Sequence, residues 1–270
     1  MNETVKVNSQ PEGFPSQKLP LFPTNIVPLP SKGLLYSEDH PLSKGVIEMK
    51  FMTTKEENIL TTESYITQGV VIDKFLQSMI ISPKFNYDTL LIGDKNALII
   101  ASRIYGYGEN YKVEVTSPSG RKQQMDIDLT LIENKEVDET LFNNENRFTY
   151  EFENRIGKYV IEFKLPTVLD ERQIDEKLKK FKKAGAADTQ VTTRLQQLII
   201  SVNGNTDQNY IKLFIENEFL ALDSRRFREY IAKIQPGPDL DIEIIDEGTG
   251  EPFRTTVSIG PTFFWPDSGV

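Results

Sequence analysis

Residues 148–166 read FTYEFENRIGKYVIEFKLP, and their periodicity sets the class of fold. Phe148, Tyr150 and Phe152 alternate with polar residues, as do Tyr159, Ile161 and Phe163, the two-residue period of half-buried antiparallel strands. Arg155-Ile156-Gly157 falls between the two runs and supplies a turn, so the pair reads as a hairpin. Beyond Pro166 the spacing lengthens to that of a helix. Asp170 and Glu171 open a segment that closes with Lys179, Lys180, Lys182 and Lys183, acids at the positive end of the helix dipole and bases at its negative end. Ile174, Leu178 and Phe181 form its inward face. A chain that passes from strands to helices in this way is α+β.

Working outward, residues 111–116 and 124–132 also alternate, and 46–52 reads as a short strand. Thr53-Thr54-Lys55-Glu56 is a capping box for a short helix. A second helix is predicted over 69–81, where Val71, Ile72, Phe75, Leu76, Met79 and Ile80 make a broad apolar stripe. A third follows Gly93, with Asp94 as N-cap and Gly106-Tyr107-Gly108 as its stop. Downstream, helices are expected over 189–202 and 206–219 and after Asp223; in the last, Phe227, Tyr230, Ile231 and Ile234 keep helical spacing until Pro236 ends it. Residues 239–267 read as strand, turn, strand around Gly248-Thr249-Gly250.

The chain has 270 residues, no cysteine, one histidine and a formal charge of -9. Without thiols there is no disulfide framework, zinc-thiolate site, iron–sulfur cluster or thiol nucleophile, and a lone imidazole builds no histidine cage. The acidic balance argues against binding nucleic acid or anionic membrane surfaces, since phosphates are met by clustered Lys and Arg. The longest apolar run, 97–101, falls far short of the roughly 20 residues that span a bilayer. The first ten residues show no apolar signal-peptide region, so secretion by that route is not expected.

No residue pattern points to catalysis. His40 lies in the turn-like stretch Glu38-Asp39-His40-Pro41, and Gly106-Tyr107-Gly108 follows a helix where a dinucleotide fingerprint would follow a strand. Asp126 with Asp128, and Asp239 with Asp241, are same-face pairs that read as exposed acidic strand faces, and the lysines at 177–183 read as a basic helix end. The expectation is therefore no catalytic, cofactor-binding or metal residue. Three segments read instead as candidate interaction sites. The proline-rich residues 1–30 carry Leu21, Phe22 and Ile26, an arm laid over its own domain or docked on a partner. Arg225 and Arg226 follow Asp223-Ser224, either solvated beside a helix cap or placed for planar contacts. Phe263, Phe264 and Trp265 sit between Pro261 and Pro266, a terminal staple or an anchor for a neighbouring subunit.

Several segments in consistent order over about residues 28–267 resemble the baseplate hub assembly proteins of T4-like contractile-tailed bacteriophages. They are Leu29-Pro30-Ser31-Lys32-Gly33 with Leu34-Leu35-Tyr36, Met52-Thr53-Thr54-Lys55-Glu56-Glu57 with Ile59-Leu60-Thr61, and Leu90-Leu91-Ile92-Gly93-Asp94-Lys95-Asn96-Ala97. Arg103-Ile104-Tyr105-Gly106-Tyr107-Gly108, Ser201-Val202-Asn203-Gly204, Asp223-Ser224-Arg225 and Phe263-Phe264-Trp265-Pro266 complete the set. The resemblance implies paired Cys-x-x-Cys-like knuckles in many relatives, near 116–120 and 246–250 in this numbering. Both places here keep turn formers and have no thiol, so zinc-thiolate binding is rejected. The corollary is geometric: the turn at 117–120 should meet the turn at 246–250.

On that reading the fold is an antiparallel β unit with N-terminal helices and an inserted four-helix segment. Residues 1–30 form the arm and 31–169 a mixed α/β domain ending in antiparallel strands. Residues 170–235 are the helical insertion, and 236–270 a C-terminal β-hairpin and aromatic tail that completes the β unit. The implied function is non-enzymatic, forming or assembling the baseplate hub of a contractile tail through contacts with hub or tape-measure proteins. It places the protein in the host cytoplasm during assembly and, if the protein stays in the particle, in the virion baseplate. Rivals are a transient chaperone absent from the virion and a cell-wall-degrading hub enzyme with a carboxylate pair in a cleft lined by acids such as Glu56, Glu57 or Asp94. Changing Phe264 and Trp265 to Ala is expected to abolish assembly and leave a folded protein. The sequence sets no oligomeric state.

Overall fold

The structure, a computed structural model, describes residues 23–185 and 189–264. Its fold is α+β, with eight helices and four small antiparallel sheets among the described residues. The end of the proline-rich arm is the first strand: β1 (Thr24–Pro28) pairs with β2 (Val46–Lys50), which pairs in turn with β3 (Ile80–Ser82). At residues 24–28, then, the arm lies on its own chain.

α1 (Thr54–Leu60), α2 (Glu63–Gln68) and α3 (Val71–Met79) fill the span between β2 and β3. Glu56, at the third position of α1, accepts the Thr53 N–H at 3.1 Å, as the capping motif requires, and also pairs with Lys50 at 2.6 Å. The helix expected over 69–81 is shorter at both ends. Gly69 (φ 77°) caps α2, and Ile80 and Ile81 leave α3 to pair with β2, β-branched side chains being better placed on a strand.

α4 (Ile92–Tyr107) is the central helix. Asp94 was expected as its N-cap, but Leu91 holds that place and Asp94 sits in the first turn, fully buried. A close backbone approach fixes this turn: a Cβ at Gly93 would stand 1.7 Å from the Pro236 carbonyl oxygen. The aromatic rings near residue 264 close the same region. Phe264 packs edge-on to Phe75 at 4.9 Å, and Phe263 lies 4.7 Å from Tyr111 while its carbonyl accepts from Arg103.

Two hairpins follow: β4 (Asn110–Thr116) with β5 (Lys122–Asp128), and β6 (Phe148–Glu153) with β7 (Lys158–Phe163). The second is the hairpin read from 148–166, and its ring face packs on Phe214, Phe219, Phe227 and Tyr230. α5 (Val168–Lys183) opens on a capping box in which Asp170 accepts the Thr167 N–H at 3.0 Å. α6 (Gln190–Leu198) ends earlier than the helix expected over 189–202. Its last four residues form β8 (Ile199–Val202), which joins β7, so a strand lies inside the segment read as wholly helical.

α7 (Gln208–Asn217) and α8 (Ala221–Ile234) complete the helices. α8 begins ahead of Asp223, so Asp223 and Ser224 lie in its first turn and Leu220 is the cap. β9 (Asp241–Ile245) and β10 (Pro252–Thr256) form the last hairpin. One contiguous core runs from Val27 to Phe264; no residue of β10 belongs to it, and Val115, Ile174 and Ile244 are buried outside it.

Candidate functional site

The turn after β4 and the turn after β9 meet. In the first, the Gly120 N–H donates to the Ser117 carbonyl at 2.9 Å; in the second, the Gly250 N–H donates to the Asp246 carbonyl at 2.7 Å. Asp246, 2% exposed, links them. Its Oδ1 accepts from the Gly248 N–H at 2.7 Å and the Ser119 hydroxyl at 3.0 Å, and its Oδ2 from the Ser119 N–H at 3.3 Å. The Gln123 side chain adds two bonds, donating to the Ile245 carbonyl at 2.8 Å and accepting the Glu247 N–H at 3.1 Å. A Cβ at Gly248 would stand 2.8 Å from Ser119 Oγ and 3.1 Å from Asp246 Oδ1, so a side chain there would push on the lock itself.

Burial works against the Asp246 charge, but the Gly248, Ser119 and Ser117 donors outweigh it and hold the carboxyl below its ordinary pKa. The two turns therefore lie side by side, as the resemblance required. Their donor set does not fit zinc: one carboxylate already spent on N–H and O–H donors, two serine hydroxyls, and neither thiol nor imidazole. Among the described residues no group of three His, Asp or Glu side chains is placed to hold a metal. A hydrogen-bonded lock occupies the place.

A second polar centre surrounds Asp94. Its Oδ1 accepts the Ser31 N–H at 2.9 Å, and its Oδ2 accepts the hydroxyls of Ser31 and Tyr36, each at 2.7 Å. Tyr36 Oη in turn accepts the Leu91 N–H at 3.1 Å. Desolvation dominates here and raises the Asp94 pKa in spite of those three bonds. His40 stacks on Tyr36 with ring centroids 4.9 Å apart. Its Nδ1 accepts the Leu42 N–H at 3.2 Å and its Nε2 lies 3.0 Å from Thr89 Oγ1, so the neutral ring carries its proton on Nε2. Burial lowers its pKa, and its work is to cap the 3-10 turn Pro41–Lys44.

Glu56 and Asp94 are each 0% exposed and engaged in these local bonds, so neither lines a cleft. Glu57 accepts from the Tyr107 hydroxyl at 3.3 Å.

The candidate interaction residues fall in three groups. Leu21, Phe22 and Trp265 lie outside the described residues. Phe263 and Phe264 are 0% and 1% exposed and act as the staple of their own core; in this arrangement they offer no outward anchor. Truncating Phe264 consequently removes core packing, so a destabilised protein rather than an unaltered fold is the expected product of that change. Ile26, Arg225 and Arg226 are exposed. Arg225 donates to Glu229 at 2.8 Å one turn on.

Leu222, 57% exposed, precedes the two arginines by three and four residues on α8 and so shares their face. The sequence carries no signal for it: residues 220–222 read as the break between two helices, and the structure puts Leu222 on α8 with both it and Leu220 exposed.

A protein-family model described as T4 bacteriophage base plate protein matches residues 35–265. No curated protein and no solved structure matches the chain.

Proposed function

Since the chain belongs to the T4 bacteriophage base plate protein family, we propose that its place is the baseplate hub, as a non-enzymatic subunit working through surface contacts with other hub or tape-measure proteins. Family membership makes it a baseplate protein whose contacts are with other phage tail proteins. The observation that carries the proposal is the outward face of α8. There Leu222, Arg225 and Arg226 combine an exposed aliphatic side chain with two guanidinium groups, a composition suited to protein interfaces. Ile26, 62% exposed on β1, is a second contact point.

Two of the acids named for a cell-wall enzyme argue against that role. Glu56 and Asp94 serve as a capping residue and an internal tie, and neither reaches solvent where a glycan could be met.

The test is complementation. Phage carrying Arg225→Glu with Arg226→Glu should give folded protein and few complete tails; normal tail yield would overturn the assignment of this face. Mass spectrometry of purified tails separates subunit from assembly factor. Finding the protein in the particle supports the former, and its absence replaces the subunit with a transient chaperone.

A further inference from the structure

β5 and β9 each belong to a two-stranded sheet, and so among the described residues each has one edge with no strand beside it. The ladder between β4 and β5 is bracketed by the Ser117 N–H to Arg121 carbonyl bond and the Leu129 N–H to Glu109 carbonyl bond. Antiparallel alternation then points the backbone groups of Gln124, Asp126 and Asp128 away from β4. In the last hairpin the Asp246–Glu251 and Val257–Leu240 bonds bracket the ladder, so Asp241, Glu243 and Ile245 point away from β10. Two of these sites are used: the Ile245 carbonyl by Gln123, and the Asp241 N–H by the Asp239 carboxylate at 3.2 Å.

The strands are tied at one end by Gln123 and at the other by the Asp239 N–H, which donates to the Glu133 carbonyl at 2.7 Å. Between the ties lies a cleft of about 420 Å³, lined along β5 by Met125, Asp126, Ile127 and Asp128 and along β9 by residues 241–244. Its apolar lining comes from Met125, Ile127, Ile132, Ile242 and Ile244 together with Leu131, which is 75% exposed. Its charge is of one sign: Asp126, Asp128, Glu133, Asp239, Asp241 and Glu243. None of the six forms an ion pair among the described residues, and no Lys or Arg lines the cleft. Lys112 and Arg254 stand opposite Asp126 and Glu243 in the hairpin registers without pairing to them.

We infer that this cleft is a docking site for an extended segment of another protein that alternates Lys or Arg with aliphatic residues and adds as a strand to the open edge of β5. Each part of the cleft matches one part of such a segment. The open backbone groups take main-chain hydrogen bonds, the apolar lining takes every second side chain, and the carboxylates take the cations on either side. An isolated acidic face would attract cations without direction. The strand edge gives register, and the ties at both ends limit how much chain enters.

The inference rests on the baseplate reading only for the source of the partner, and its test uses purified full-length protein. The probe is a synthetic peptide of about five residues alternating Lys and Val, enough to cover residues 124–128 of β5, inside the Gln123 tie, at about 3.3 Å per residue. Its binding is followed by fluorescence anisotropy. It should bind wild type, and bind equally well to Glu63→Lys with Glu145→Lys, which changes net charge by the same amount on exposed acids elsewhere.

Asp126→Lys with Glu243→Lys should weaken binding by about tenfold or more, as should N-methylation of alternate peptide amides. No binding, an equal loss in both double variants, or indifference to N-methylation would each overturn the docking site. Any of those results leaves the hub assignment to its own test in tail assembly.

Discussion

Ser119 and Asp246 stand 127 positions apart in the sequence, yet the Ser119 hydroxyl and N–H both donate to the Asp246 carboxylate, at 3.0 and 3.3 Å. With Gly248 they make the contact that holds two hairpin turns together.

Replacing Asp246 with Asn keeps the shape, leaves one oxygen for the Gly248 N–H and Ser119 hydroxyl, and puts an NH2 where the Ser119 N–H needs an acceptor. Because the Asp246 pKa is depressed in the folded protein, its contribution is present above the unfolded value of about 4 and is lost as pH falls through the folded value. Urea midpoints of wild type and Asp246→Asn should therefore converge as pH falls and stay well apart at neutral pH. A gap that widened in acid would contradict this.

Asp94 has the opposite sign. Its folded pKa is raised by burial, so its contribution is fully present below the unfolded value and declines as pH rises through the folded one. The stability of wild type relative to Asp94→Asn should fall with rising pH. Asp94→Ala orphans the Ser31 N–H and two hydroxyls in the interior and should cost about 3 kcal/mol in urea unfolding, since leaving buried donors unmet is the expensive case.

Phe264→Ala and Arg225→Ala should separate packing from contact. The first removes a ring that is 1% exposed and stacks edge-on to Phe75, and should cost about 3 to 5 kcal/mol. The second removes a side chain that is 72% exposed and should leave the melting temperature within about a degree or two of wild type while lowering tail yield.

Gly93→Ala should be among the most damaging small changes in the chain. Its methyl would meet the Pro236 carbonyl oxygen at 1.7 Å, backbone against backbone, so either α4 or the segment after α8 must move. A loss of about 3 kcal/mol or failure to fold is expected from such overpacking, read by circular dichroism and urea unfolding.

The elements most legible in the sequence were those whose pattern is local. The alternation at 148–163 became β6 and β7, and the acids and lysines of α5 fell at the ends their charges favour. Less legible were places where tertiary pairing overrode a local pattern. Ile80 and Ile199 continue helical stripes in the sequence, but each leaves its helix because a strand edge is waiting for it in β2 or β7. Asp94 looked like a cap because its partners, Ser31 and Tyr36, lie 63 and 58 residues away. The same holds for surfaces. Residue type put Phe263, Phe264, Arg225 and Arg226 forward together, and only burial separates the two rings from the two arginines. The cleft between β5 and β9 joins acids that the sequence shows as two unrelated same-face pairs.

The bond from Arg103 to the Phe263 carbonyl spans 160 positions, and the ring of Phe264 closes over Phe75. A ribosome delivers these groups in the opposite order to their need: α3, α4 and β4 emerge long before the rings that cover them. Until residue 264 is free of the exit tunnel, the hollow beside Phe75 and Tyr111 stays open, and the growing chain presents apolar surface that a chaperone can hold. Copies broken off earlier cannot finish this core, so completion of the packed state marks a chain translated through residue 264.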